Sequence, residues 1–326
     1  MDTSKAITHV SSPAHQADLE KIKLLEANRI DPKFLYVTPR QTNLWRQVFL
    51  KHSPVNGNSE FARIYREAFV QVLNIFPAQN VWLVGLGCGT GSKEAELQVA
   101  LKAAGRNTIF SAVDVSNDLV NESINRLIEA GAEHRRSLVC DLQSSFLKTW
   151  FDQPGSEIAR LITFFGLVPN LMPSAVARIF HTVLRPGDVL LVSAHLAPVQ
   201  SEGSEELFRA MKEVLPQYDN RETLIWIAEG LREWQLDDRV EMPEMTIGEL
   251  EGTPAFLAVA QWKSEESFEM WEHRFMPRRE ESLKCFYSLR YTPKLFEDFL
   301  RREGFEFELL AMTACRQEGI WAVRCG

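Results

Sequence analysis

The chain has 326 residues, enough for one large domain or two modest ones with a substantial core. An apolar fraction of 45% and a charged fraction of 25% are those of a globular protein. A formal charge of −8 excludes a general binder of nucleic acid or of membrane surfaces, and no apolar run approaches the roughly 20 residues of a spanning helix. The polar N-terminus lacks the apolar stretch of a secretion signal, so a cytoplasmic location is expected, with a disordered first ~15 residues. The five cysteines, Cys88, Cys140, Cys285, Cys315 and Cys325, are odd in number and widely spaced, which reads as reduced thiols. The seven histidines form no HxH or HxxxH pair, so no metal site is expected.

From Pro13 to Phe76 the pattern is largely helical. SEFARIYREAFVQVLNIF carries apolar residues three and four apart until Pro77 breaks it. Strands and helices then alternate. Strands are expected over 81–85, 108–113, 137–139, 161–165 and 189–193. Helices are expected over 92–104, 116–129 and 173–184, with Ser116 as a cap and Gly105 and Gly131 as stops. This alternation predicts a Rossmann-like, doubly wound parallel sheet. It lapses near Pro198. Residues 199–285 are acidic and hold Trp226, Trp234, Trp262 and Trp271, which read first as core residues. Thr292 and Pro293 then open a helix ended by Gly304, and strands over 305–312 and 320–324 flank a turn at RQEG. A closing antiparallel hairpin is foreign to dinucleotide dehydrogenases. The expected organisation is an α/β core of 62–198 and 286–326, with a discontinuous cap of 1–61 and 199–285.

The stretch VWLVGLGCGTGSKEAEL puts Gly85, Gly87, Gly89 and Gly91 where the first strand becomes a helix. Such a loop lets a ligand approach the backbone and the free N–H groups of a helix start. A dinucleotide needs G-x-G-x-x-G, but the third glycine falls at Thr90 or Ser92. The looser G-x-G-x-G of S-adenosylmethionine (SAM) enzymes fits Gly85, Gly87 and Gly89. Asp114 ends the second strand, where a carboxylate accepts ribose hydroxyl protons, and Asp141 ends the third, within reach of an adenine amine.

With these residues in place, the chain resembles the histidine Nα-methyltransferases of ergothioneine biosynthesis, from about Phe34 to Trp321. KFLY over 33–36, FFGLVPN over 164–170, Tyr218-Asp-Asn and ESLKCFYSLRY over 281–291 carry the likeness beyond the glycine loop. The resemblance implies a class I SAM-methyltransferase fold and a cap over an amino-acid substrate. It implies that Tyr36, Gly85, Gly87, Gly89, Lys93, Asp114, Asp141 with its neighbour Leu142, and Gly166 hold SAM. It further implies that Asn170 and Tyr218 grip the substrate and orient it for reaction. The family places a Glu and a Ser in its last substrate strand to bind imidazole. Here Ser288 stands, but the Glu position reads Phe286. Likewise, His52-Ser53-Pro54 replaces a Tyr-Tyr-Pro segment, and Ala258 stands near a methionine position. Methylation of the amine of an amino-acid-like small molecule other than histidine is therefore expected. The alternatives are attack of SAM's own α-amine on its γ-carbon, giving azetidine-2-carboxylate and methylthioadenosine, and a non-catalytic SAM-binding protein.

Overall fold

The computed structural model describes residues 7–10, 14–54, 59–153, 158–197 and 204–326. In chain order the strands are β1 (Ile7–His9), β2 (Asn80–Leu86), β3 (Asn107–Asp114), β4 (Glu133–His134), β5 (Ser137–Val139), β6 (Ala159–Phe165) and β7 (Val189–His195). They continue with β8 (Glu244–Leu250), β9 (Thr253–Gln261), β10 (Phe268–Met270), β11 (His273–Phe275), β12 (Ser282–Leu289), β13 (Phe305–Met312) and β14 (Glu318–Cys325). The chain forms two compact units. One comprises 1–10, 57–198 and 291–326, and the other 11–56 and 199–290.

The first unit is built on one sheet in the order β1-β5-β3-β2-β6-β7-β14-β13, with β4 beside β3. All pairs from β1 to β7 are parallel, while β14 runs antiparallel to both β7 and β13. The central strands are buried along nearly their whole length, as a sheet covered by helices on both faces requires. Strand order reverses at β2, with β3 on one side and β6 on the other. The crevice at the carboxyl ends there is where open α/β sheets take ligands. The helices start where expected: Ser116 Oγ accepts the Leu119 N–H and Thr292 Oγ1 accepts the Leu295 N–H. A buried ion pair fastens β6 to the turn before β7. Arg160 Nε lies 2.9 Å from Asp188 Oδ2, which also accepts the Arg185 N–H at 2.9 Å.

Three domain boundaries differ from the sequence reading. Residues 59–61, expected in the cap, open the helix Ser59–Ile75 of the first unit. Ile7–His9, expected to be disordered, is a strand, because its backbone pairs in parallel with Ser137–Val139 at the sheet edge; it thereby joins the first unit instead of the cap. Residues 286–290 belong to the second unit, because β12 runs unbroken to Leu289 along β9. Glu318, read as part of a turn, is the first residue of β14.

The second unit holds an antiparallel sheet in the order β12-β9-β8, a β10-β11 hairpin, and helices Ala14–Glu26, Pro39–His52, Ser204–Val214 and Arg221–Glu233. Its core is aromatic. Trp226, Trp234 and Trp262 are buried with Leu24, Ile30 and Leu35, and Trp271 packs against them. A capping box of Thr38 and Gln41 starts the second of these helices: Gln41 N donates to Thr38 Oγ1, and Thr38 N to Gln41 Oε1.

Gly91 gives a direct test of the first unit. It sits at φ 71°, and a Cβ there would lie 2.5 Å from Ser123 Oγ and 2.8 Å from Ser123 Cα. Gly91→Ala is expected to destabilise the chain by about 2 kcal/mol or more, read as a lower urea midpoint; an unchanged midpoint would refute this packing.

Candidate active site

The turn after β2 is shaped by backbone geometry. Gly87, Gly89 and Gly91 all have positive φ, at 57°, 50° and 71°. Gly87 N and Cys88 N both donate to Val113 O, at 2.7 and 3.3 Å, which lays the turn against the end of β3. Gly85 is different. It is buried and extended, and a Cβ on it would come within 3.1 Å of Cys88 Cβ, so there it is close packing that favours glycine. The helix Ser92–Ala103 begins at Gly91 without a side-chain cap, which leaves its first N–H groups free.

Asp114 joins the strand ends. Its Oδ2 accepts the Gly89 N–H at 3.1 Å and its Oδ1 accepts the Ser116 N–H at 2.9 Å. Cys140 N donates to Asp114 O at 3.0 Å, bringing the end of β5, with Asp141 and Leu142, alongside. Asp114 is only 6% exposed. Burial pushes its carboxyl up to about 6, against the opposing pull of the Ser116 and Gly89 N–H groups. Each carboxylate oxygen keeps a second lone pair, so ribose hydroxyls can be accepted as well. Asp141 is half-buried and accepts the Gln143 N–H at 2.9 Å.

A second group of residues was not legible in the sequence. Lys93 Nζ donates to the Tyr65 hydroxyl at 2.7 Å and lies 4.3 Å from the centre of that ring. The Tyr65 oxygen is 2.6 Å from Glu318 Oε1 and 2.7 Å from Ser193 Oγ, and His195 Nδ1 is 2.6 Å from Glu318 Oε2. Ser193 Oγ also accepts the Gly166 N–H at 3.0 Å. Burial alone would raise the Glu318 carboxyl, but His195, Lys93 and Tyr65 together bring it down to about 2. Burial lowers Lys93 and raises Tyr65 well above its ordinary value. Lys93 is thus held by a buried network, as is the backbone at Gly166. Glu94, the next residue, is buried behind Gly85 and accepts from Thr163 Oγ1 at 2.8 Å. Spacing alone gives no signal for Tyr65, Ser193 or Glu318; the latter two lie 128 and 253 residues from Tyr65. Asn170 closes a short turn after β6 with its backbone N–H donating to Leu167 O at 2.9 Å; it is half-buried, and its side-chain amide bonds to no other described residue.

The remaining expected residues lie in the second unit. Tyr36 meets Trp226 edge-on at 5.2 Å and Trp45 at 5.8 Å. Its position is fixed by Trp226 Nε1, which donates to Leu35 O at 2.9 Å, and by Thr42 Oγ1, which donates to Tyr36 O at 3.2 Å. Tyr218 follows a short 3-10 turn and stacks on Phe256 at 4.9 Å and on Phe286 at 6.4 Å. Phe286 meets Trp226 edge-on at 5.6 Å. Phe286 pairs across the sheet with Ala258, and Ser288 with Phe256. His52 is engaged by Glu222, with Nε2 3.1 Å from Oε2.

The strand order, the glycine turn and the acids at successive strand ends define a class I SAM-dependent methyltransferase. The chain belongs to the histidine-specific, SAM-dependent methyltransferase family, whose profile matches residues 25–314. No curated protein sequence matches it. Among solved structures, the chain is similar to the plantazolicin methyltransferase BpumL, at 11% identity and TM-score 0.48, over 94% of this chain and 99% of that one. It is similar to the citrinin polyketide synthase CMeT domain at 14% identity and TM-score 0.45, over 89% of this chain, and spans 57% of that chain. A third is CalS10, an amino pentose methyltransferase from Micromonospora echinaspora, at 13% identity and TM-score 0.38, over 80% and 89% of the two chains. SAM is the cosubstrate of the family, and the glycine turn with the partly unspent Asp114 carboxylate fits its adenosine. A cleft of about 400 Å³ lined by Phe76, Ala159, Gly187, Val189 and Arg324 lies at the opposite, amino-terminal edge of the sheet, away from the glycine turn. No helix among the described residues is long and apolar enough to cross a membrane.

The elevated Asp114 carboxyl predicts the pH dependence of cosubstrate binding. With a folded value of about 6 against an ordinary 3.8, the folded state holds the proton more tightly, so this group favours folding at low pH and loses that contribution as pH rises through 6. Acceptance of ribose hydroxyls needs the ionised form. SAM affinity measured by calorimetry is therefore expected to fall as pH drops through about 6. Asp114→Asn is expected to bind weakly and without that pH step.

Proposed function

We propose that the enzyme methylates the amine of an amino-acid-like small molecule other than histidine. One feature carries this reading: the position that the resemblance matches to the family's imidazole-binding Glu is Phe286, a buried apolar ring that contacts Trp226 and Tyr218 and pairs with Ala258. An imidazole N–H held against that ring would lack an acceptor, costing about 1–3 kcal/mol, or roughly ten- to a hundredfold in affinity.

When bound, SAM supplies a methyl group made electrophilic by its sulfonium. The glycine turn of Gly85, Gly87 and Gly89 would admit the cosubstrate to the backbone; Asp114 would accept from the ribose and Asp141, with its neighbour Leu142, would hold the adenine amine. Lys93 and the Gly166 backbone complete the cofactor residues in the first unit. In the second unit Tyr36 offers an aromatic face to a cation. The resemblance assigns Asn170, in the first unit, and Tyr218, in the second, to the acceptor amine. Orientation and desolvation suffice when the amine binds neutral, so no strong base is assigned. The overall charge of −8 matches a small-molecule substrate rather than nucleic acid.

The same aromatic face of Phe286, Tyr218 and Trp226 favours a second reading, in which SAM is the sole substrate. Its α-amine attacks its γ-carbon and the C–S bond breaks. The amine loses a proton, and azetidine-2-carboxylate and methylthioadenosine leave.

Mass spectrometry of the purified chain with SAM, alone and with a panel of amino acids, separates the two. S-adenosylhomocysteine with a methylated amino acid is the expected outcome, whereas methylthioadenosine formed from SAM alone would replace methyl transfer with cyclisation. Restoring the family's carboxylate gives an independent check. Phe286→Glu is expected to tighten histidine binding by about tenfold in calorimetry; no gain would refute the assignment of this position to the acceptor.

A further inference from the structure

Arg290 directly follows β12 and is 3% exposed, a cation enclosed in the second unit. Its backbone is fixed by its N–H, which donates to Pro254 O at 2.7 Å. Alternate residues of a strand share a face, so Phe286, Ser288 and Arg290 point the same way. The guanidinium lies 5.0 Å from the centre of the Tyr218 ring and 4.9 Å from that of Phe256, and its Nη2 donates to the Tyr218 hydroxyl. Nε is buried without an acceptor, and the side chain has no acidic partner among the described residues.

The contrast with Arg160 is informative. That arginine, equally buried, directs Nε and Nη2 at Asp188 and Nη2 also at Val183 O. A guanidinium does not shed its proton, so an enclosed one needs an anion or a full set of acceptors. Arg290 has a single neutral hydroxyl and two aromatic faces. Its unused donors form a planar fork of the kind that takes a carboxylate through two parallel hydrogen bonds. The Tyr218 oxygen accepts from Arg290, which leaves the Tyr218 proton free to donate to the same anion.

We propose that Arg290 and the Tyr218 hydroxyl form a carboxylate-binding site in the second unit, which takes the α-carboxylate of an amino-acid ligand. The proposal rests on the reading that the substrate is amino-acid-like, and adds the group that selects for it. An α-carboxylate is present both on a free amino-acid acceptor and on the amino-acid end of SAM, and the experiment distinguishes these.

The test is calorimetry on the full chain with paired probes. SAM is compared with decarboxylated SAM. With S-adenosylhomocysteine present, each common L-amino acid is compared with its primary amide. The wild type is expected to prefer the carboxylate by roughly thirty- to a hundredfold in at least one pair. Arg290→Gln should abolish that preference and Arg290→Lys should keep part of it, because a point charge replaces the fork. The pair that shows the effect identifies the source of the carboxylate. A wild type without preference in any pair overturns the proposal, and so does a preference that survives Arg290→Gln. The wild-type comparison stands even where the variant fails to fold. Failure of the underlying functional reading has a separate signature: no amino acid and no amide would bind beside S-adenosylhomocysteine, whereas failure of the proposal alone leaves both members of a pair binding equally.

Discussion

The buried carboxylate of Asp114 is the constraint on which the candidate site depends. A turn with three glycines at positive φ has little intrinsic preference for one shape, and a helix that starts at Gly91 brings no side-chain cap. Asp114 supplies what the turn lacks. It accepts one N–H from the glycine turn and one from the start of the next helix, and its own carbonyl accepts from Cys140. Three strand ends are thereby tied to one residue at the point where the strand order reverses. The cost is an ionised group out of water, visible in its raised pKa. A site that must receive hydroxyl groups gains from this cost, because the carboxylate is aligned before the ligand arrives.

The charged network behind the turn extends the same logic. Lys93 is one residue from the buried Glu94, yet their partners differ. Lys93 reaches Tyr65 and, through it, Glu318 and His195, while Glu94 takes the Thr163 hydroxyl. Removing one member of such a network leaves another buried charge unpaired, which costs more than the pair contributes when intact. The network also holds Gly166, since Ser193 bonds both Tyr65 and the Gly166 N–H. A residue at the edge of the site is thus positioned by residues from β7, β14 and the helix Ser59–Ile75.

The second unit obeys a different rule. Its sheet presents Phe286, Ala258 and Phe256 together with Tyr218 and Trp226, an apolar and aromatic surface with one cation beside it. Such a surface favours flat or cationic groups and rejects unpaired polar ones. The Phe286 ring is held by Trp226 and Tyr218, so its placement is a packing consequence of neighbours from the helix Arg221–Glu233 and from the turn before it.

Much of this was written in the local sequence. The β–α alternation from 81 to 193, the glycine turn, Asp114 and Asp141 at strand ends, and the caps Ser116 and Thr292 follow from patterns a few residues long, because backbone hydrogen bonding and glycine conformation are local constraints. The closing hairpin was legible for the same reason. What the sequence could not carry were the partnerships made across the fold. Tyr65 looks like one more apolar position on an amphipathic helix, Glu318 looks like part of a turn, and Arg290 is one residue among others in the segment 281–291. Only the tertiary structure buries each of them, and burial decides their chemistry. Out of water, a charge or hydroxyl must find a partner wherever the fold supplies one, and sequence separation has no bearing on which partner that is. The edge strand Ile7–His9 escaped for a related reason: three residues with little pattern of their own become a strand because β5 leaves an edge for them to pair with.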